Sequence, residues 1–350
     1  MIPRVFLPTR HYGLGFSSVS LSAPAALAAS WHASLPHILS LLELGTPTEL
    51  EQLSPIAQTF IPAAQQTIRD TDDDFSSVCI GDTSIAITQR TIASASIAAA
   101  ARSVLDHATE DVSLSASIRS TGGPGAGSWL RAPTRPCHRM LRQHLQIGLR
   151  TRLHLDIPSQ RGPCQHRRPD GSCCGKQLDS KGTHARSCAV GGWLVRRHNE
   201  LVSVLRRWCE ERCGCVVYLE QVLPSASDGH TLSRMDLIVH SPLLSAPLFI
   251  DLTVVSAVSR EALARGSASN EGVASEIAAS RKVKKYPGCE VSAFPIEDHG
   301  RLGEAARTVI RRLAPPEPAM RSQAIADLYQ DLACVAQRMS ADAVIAAAAG

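Results

Sequence analysis

The sequence predicts an α/β (α+β) protein of more than one domain, and three observations predict it. Two short runs, RMDLIV at 234–239 and LFIDLTVV at 248–255, have the residue types of buried strands. Apolar residues recur at helical spacing on either side of them, most clearly between Trp193 and Arg212. A loop-rich segment dense in cysteine and histidine precedes that helix and has no apolar core of its own. At 350 residues the chain exceeds the ~100–200 residues of a usual domain. Only 4% of residues are aromatic, so the alanine- and serine-rich first third and last thirty residues should pack thinly, as helices. The net charge of +4 is too weak to name a partner, but Arg and Lys crowd between Arg131 and Arg212 and again over Arg281–Lys285.

Residues 1–120 are expected to be mostly helical. SAPAALAASWHASLPHILSLLEL supplies an apolar stripe broken by Pro36, and the acidic run Asp70–Asp74 reads as a solvated loop. Ser76–Thr88 has some strand character, and an alanine-rich helix follows over Thr91–His107. TGGPGAGS at 121–128 suits neither helix nor strand interior and marks a hinge or boundary, a Gly/Pro linker. In the basic helical segment 129–160, Leu141, Leu145, Ile147, Leu149 and Leu153 alternate with arginines, which suits one packed face and one face either towards phosphate or simply solvated. Residues 161–191 form the Cys/His module and 192–314 the main α/β domain. PPEP closes that domain, and 315–350 is an alanine-rich tail, either a helix pair or a frayed end.

MIPRVFLPTR lacks the apolar core of a signal peptide, and no run of ~18 apolar residues exists, so an intracellular, reducing location and no membrane partner are expected. Clustered cysteines then read as metal ligands, and the scattered Cys79, Cys137, Cys289 and Cys334 as small core residues. Cys164, Cys173, Cys174, His184 and Cys188 fall within one short loop-rich stretch. Such a segment can fold around a structural Zn²⁺ held tetrahedrally by thiolate and imidazole. Adjacent Cys173 and Cys174 point apart, so one is spare; Cys174 is taken as the ligand and Cys173 as its alternate. His184 and Cys188 lie one helical turn apart on one side. Cys209, Cys213 and Cys215 have no nearby histidine and read as packing residues.

The helix after the module carries Leu194, His198, Leu201, Leu205 and Trp208 on its apolar stripe, and Arg197, Glu200, Val204 and Arg207 on a neighbouring face. His198 is read as a hydrogen-bonded structural residue and Glu200 as better placed to reach a metal. In LFIDLTVV one face takes Leu248, Ile250, Leu252 and Val254, and the other Phe249, Asp251, Thr253 and Val255. Asp251, like Asp236 in RMDLIV, must be paired or coordinated, because an isolated buried carboxylate is costly. Side by side on a hairpin the two acids would supply the oxygen ligands that one or two Mg²⁺ ions require. The helix end RKVKKY then brings Lys282 and Lys285 onto a face shared with Ser275 and Ala278, with Lys284 turned to solvent or phosphate.

This order of parts (Cys-Cys-His-Cys cluster, RRHNE helix, Asp in a strand, Asp-x-Thr in the next, K-x-x-K-Y) resembles the restriction-like endonuclease at the C-terminus of site-specific non-LTR retrotransposon proteins. The resemblance covers roughly Cys164 to Leu313, including the closing strand VSAFPIEDHG, with a weaker similarity upstream. It implies a PD-(D/E)xK nuclease core with a central mixed sheet flanked by helices. It implies zinc at Cys164, Cys174, His184 and Cys188, metal-binding acids at Asp236 and Asp251, a helix acid at Glu200, and a catalytic lysine among Lys282 and Lys285. Met235 stands where the usual dipeptide has proline, and Thr253 where the simplest motif has lysine.

The implied activity is Mg²⁺-dependent phosphodiester hydrolysis that nicks target DNA for target-primed reverse transcription in the nucleus. Arg196, Arg197 and Lys284 are the candidate phosphate contacts, and the element's RNA is a further candidate partner. No aromatic-x-Asp-Asp polymerase sequence occurs, so the chain would be a piece or remnant without reverse transcriptase activity. The alternative is a catalytically inactive, zinc-containing nucleic-acid-binding remnant.

Overall fold

The computed structural model describes residues 4–16, 18–71, 75–82, 84–224, 232–286 and 289–349. They divide into two compact units. One comprises residues up to His11 with Gly15–Asp106, and the other Tyr12–Leu14 with the chain from His107 onward. Asp72–Asp74 of the acidic run lie outside the described residues.

The first unit contains the helices α1 (Val19–Leu41), α2 (Pro47–Leu53), α3 (Pro55–Arg69) and α4 (Gln89–Asp106). Thr46 and Ser54 cap α2 and α3, each with proline in the first turn, where its missing N–H costs nothing. Their apolar faces meet at Ala28, Leu35, Ile61, Ile68 and Ile92. Pro36 does not break the first helix, contrary to expectation: α1 runs through it, with buried Leu35 anchored against its neighbours. The expected strand over Ser76–Thr88 is likewise not formed among the described residues. Side chains of α1 and α3 satisfy that backbone instead. Gln65 donates to the Val78 carbonyl (2.7 Å) and accepts from the Ile80 amide (2.6 Å), while His32 Nδ1 accepts from the Gly81 amide (3.2 Å).

The second unit is mixed α/β. Helices α5 (Val112–Ser120), α6 (Arg142–Arg152), α7 (Thr183–Ser187) and α8 (Trp193–Cys213) lead into β1 (Val216–Pro224), β2 (Leu232–His240) and β3 (Leu248–Val255). Then come α9 (Arg260–Ala264), α10 (Val273–Lys285), β4 (Val291–Glu297), α11 (Glu304–Leu313) and α12 (Pro318–Ala348). The sheet order is β1-β2-β3-β4, antiparallel except for the parallel β3–β4 pair, whose connection runs through α9 and α10, as a parallel crossover requires. Leu237, Ile250, Leu252, Phe294 and Ile296 bury against Leu201 and Leu205 of α8, Val309 and Ile310 of α11, and Leu328 and Leu332 of α12.

Four further expectations are corrected here. TGGPGAGS is a packed turn inside the second unit, not a linker: Leu302 donates to the Pro124 carbonyl (2.9 Å), and a Cβ on Gly125 (φ +87°) would stand 2.8 Å from the Gly300 carbonyl. The buried face of α6 is His144, Gly148, Thr151 and Arg152, while Leu141 and Leu145 are exposed. Gly148 admits the Trp129 ring, and the Arg152 guanidinium donates to the Gly13 (2.9 Å) and Ala126 (3.0 Å) carbonyls, so polar anchoring overrides the leucine pattern. The tail is neither paired nor frayed. It is the single helix α12, largely buried and tied to α8 by the Trp208 indole donating to the Ala324 carbonyl (2.8 Å). Finally, Cys79 and Cys137 are exposed rather than in the core; Cys209, Cys213, Cys215 and Cys334 are buried as expected.

Candidate metal centres

The module at 161–191 folds as two tight turns closed by backbone bonds, Cys164 N–H to the Lys176 carbonyl (2.8 Å) and Cys174 N–H to the His166 carbonyl (2.7 Å). Asp179 then starts α7, its carboxylate accepting from the amides of Thr183 (2.8 Å) and His184 (2.6 Å). The ligand atoms of Cys164, Cys174, His184 and Cys188 all lie within 4.8 Å of one another. Cys174 Sγ is 3.5 Å from His184 Nε2, close to the ~3.6 Å edge of a tetrahedron built on ~2.0–2.3 Å bonds. Cys173 faces away, its thiol directed at Gln165 Oε1 (3.5 Å), so Cys174 is the member of the cluster. Burial, with the neighbouring Cys188 and Cys174 sulfurs, pushes the Cys164 thiol up to about 11, and burial also raises Cys188. Three crowded thiols ionise together only beside a cation, so this Cys₃His cluster can hold a metal ion.

The second centre is assembled from four elements. The β2–β3 ladder pairs Leu237 with Ile250, so Asp236 and Asp251 stand next in line on adjacent strands. Asp251 is buried, 2% exposed; Lys282 Nζ lies 2.5 Å from its Oδ1, the Tyr286 hydroxyl donates to its Oδ2 (2.6 Å), and Lys285 Nζ is 3.8 Å away. Asp236 Oδ2 accepts from the Leu252 amide (2.7 Å), and its Oδ1 lies 3.2 Å from His198 Nε2 of α8. Burial alone would raise the Asp236 carboxyl; the bond and charge of His198, the Leu252 amide and a contact with Asp251 together hold it below the ordinary carboxylate range. Arg234 pairs with Glu220 (3.3 Å), leaving Asp236 to the cluster.

Lys282 and Lys285 thus both reach Asp251, with Lys282 the closer, and buried Ser275 and Ala278 share their helix as expected. Glu200 does not join them. It lies about 200° round α8 from His198, which faces Asp236, and is exposed. Arg197 is also corrected: it is buried, its guanidinium 3.3 Å from the Ser340 hydroxyl, and is closed to nucleic acid. Arg196 is exposed and stacked over Trp193 (4.8 Å), and Lys284 is exposed. Tyr286, the last residue of RKVKKY, received no role from the sequence although it bridges Asp251 to the Arg234 carbonyl (3.0 Å).

Among the described residues no helix is long and apolar enough to cross a membrane. No protein-family model matches this sequence, and no curated protein is significantly similar to it.

Proposed function

We propose that residues 161–314 are a zinc-stapled, metal-dependent DNA endonuclease domain of the restriction-like class the sequence resembles, acting in target-primed reverse transcription. The observation that carries this reading is the meeting of Asp236, Asp251 and the Lys282 amine on two adjacent strands and the following helix. Zinc suits the soft Cys₃His donor set, and magnesium suits the oxygen-only pair Asp236 and Asp251. Bound there, Mg²⁺ would lower the pKa of a water and support the phosphodiester oxygen under attack. His198 and the Leu252 amide orient Asp236, Tyr286 orients Asp251, and Lys282 offers the ammonium that stabilises developing negative charge, with Lys285 behind it. Arg196 and Lys284 are the exposed cations available to the DNA backbone.

One observation favours the second reading, an inactive DNA-binding remnant. Asp251 is almost fully covered, and both its oxygens already have protein partners. Incubation of zinc-loaded protein with supercoiled plasmid and Mg²⁺ separates the two. Nicking that disappears in Asp251→Ala and Lys282→Ala supports the enzyme. Salt-dependent plasmid binding without nicking supports the remnant.

A further inference from the structure

A cavity of the same unit adjoins the Cys/His module, where α5, the end of α6, the module's helix α7 and the end of β4 come together. Its volume is about 140 Å³, far above the ~10–15 Å³ a single water needs by the same measure. Ser113, Ser117, Lys181, Arg186, Asp298 and His299 are among its lining residues.

Arg186 and Arg197 are each 7% exposed, and Asp298 accepts from Arg186 (3.3 Å) and from the Ser256 hydroxyl (3.0 Å), while the neighbouring buried Glu297 accepts from the cavity-lining Ser120 hydroxyl (2.6 Å). The Nε groups of both arginines are buried and have no hydrogen-bond partner among the described residues. A buried guanidinium proton without an acceptor is costly, and an oxyanion in the cavity would supply one to Arg186. Lys181 adds a further cation at the cavity wall; it is held 2.9 Å from both the Asp156 carboxylate and the His154 carbonyl, and an ammonium has a third proton to give.

We propose that this cavity is an oxyanion site that takes a phosphate group, with Arg186 and Lys181 as its cations and the Ser113 and Ser117 hydroxyls as neutral donors. Guanidinium and ammonium together fit a tetrahedral, multiply charged oxyanion better than a halide. The inference does not rest on the nuclease reading, since it needs neither Mg²⁺ nor cleavage. The source of the phosphate is either a free phosphate or the terminal phosphate of a nucleic-acid strand.

Calorimetric titration of the full-length, zinc-loaded protein with inorganic phosphate, against chloride at equal ionic strength, tests it. The site predicts saturable one-to-one binding, weakened about tenfold in Lys181→Gln and unchanged in Arg139→Gln, an exposed cation that does not line the cavity. Lys181 is partly exposed, so its variant should fold where one of buried Arg186 would not. If a 5′-phosphorylated oligonucleotide displaces the phosphate and its 5′-hydroxyl twin does not, the site takes a strand end; if neither does, it takes free phosphate. No saturable phosphate binding, or equal binding in Lys181→Gln, would overturn the proposal.

Discussion

The Cys/His cluster at 164–188 and the acid–lysine cluster on β2, β3 and α10 both gather cation ligands, but they differ in what completes them. In the first, the sulfurs and the imidazole face mainly one another, and burial raises the Cys164 and Cys188 thiols. In the second, each carboxylate oxygen already has a protein partner: Lys282 and Tyr286 at Asp251, His198 and the Leu252 amide at Asp236. The first centre therefore lacks a partner until a metal supplies it, whereas the second is electrostatically closed without one. A structural ion should be part of folding at the module, and any ion at the sheet must displace or share existing partners.

The largest expected effect is at the module. Removing zinc with a chelator, or by His184→Ala, should cost on the order of 10 kcal/mol of apparent binding energy and unfold residues 161–191. The module also holds the end of α12, through Gln165 N–H to the Ala347 carbonyl (2.9 Å) and His166 Nε2, 2.9 Å from the Ala343 carbonyl. Hydrogen exchange should therefore speed up over 340–348 as well as in the module, and unchanged protection in both would break the contrast.

At the sheet, Asp251→Ala strands the Lys282 ammonium and leaves the Tyr286 hydroxyl only the Arg234 carbonyl as acceptor. It should lower stability by about 3 kcal/mol in denaturant titration without added Mg²⁺. Tyr286→Phe removes the bridge between Asp251 and the Arg234 carbonyl and the acceptor of the Lys285 ammonium (2.8 Å), and should cost about 1–2 kcal/mol. If stability at either position depends strongly on Mg²⁺, the sheet centre is as metal-dependent as the module.

The smallest effect is chemical. With zinc bound, alkylation should modify exposed Cys79 and Cys137 first and spare Cys164, Cys174 and Cys188; chelation should open the latter three. Cys213, which burial pushes up to about 12, should stay unreactive in both states. Mass mapping of the adducts reads the order.

The two centres also differ in how much of each was legible in the sequence. The cysteine and histidine ligands lie in one short stretch, so their spacing alone brings them together, and even the choice of Cys174 over Cys173 agrees with the structure. The sheet centre depends on register. Strand alternation located Asp236 and Asp251, but the reach of α8 could not be read from its stripe, and Glu200 was chosen where His198 makes the contact. Charge alone places Arg197 in solvent as a phosphate contact; in the fold α12 covers it near Ser340. The amphipathic, alanine-rich pattern of 315–350 does not distinguish a helix pair or frayed end from one buried helix, and only the packing of α12 against α8 reveals a core helix. In α6, Arg152 and Gly148 override an apparent leucine face for the same reason, that long-range partners decide which face is buried.

The most direct test of the account is a Mn²⁺ titration of zinc-loaded protein followed by electron paramagnetic resonance, with Mn²⁺ standing in for Mg²⁺ at an oxygen site. The account predicts saturable Mn²⁺ binding that is lost in Asp236→Asn and Asp251→Asn, while the zinc content of each variant stays the same. Mn²⁺ binding that is absent from the native protein, or undiminished in either variant, would contradict a cation site on the sheet.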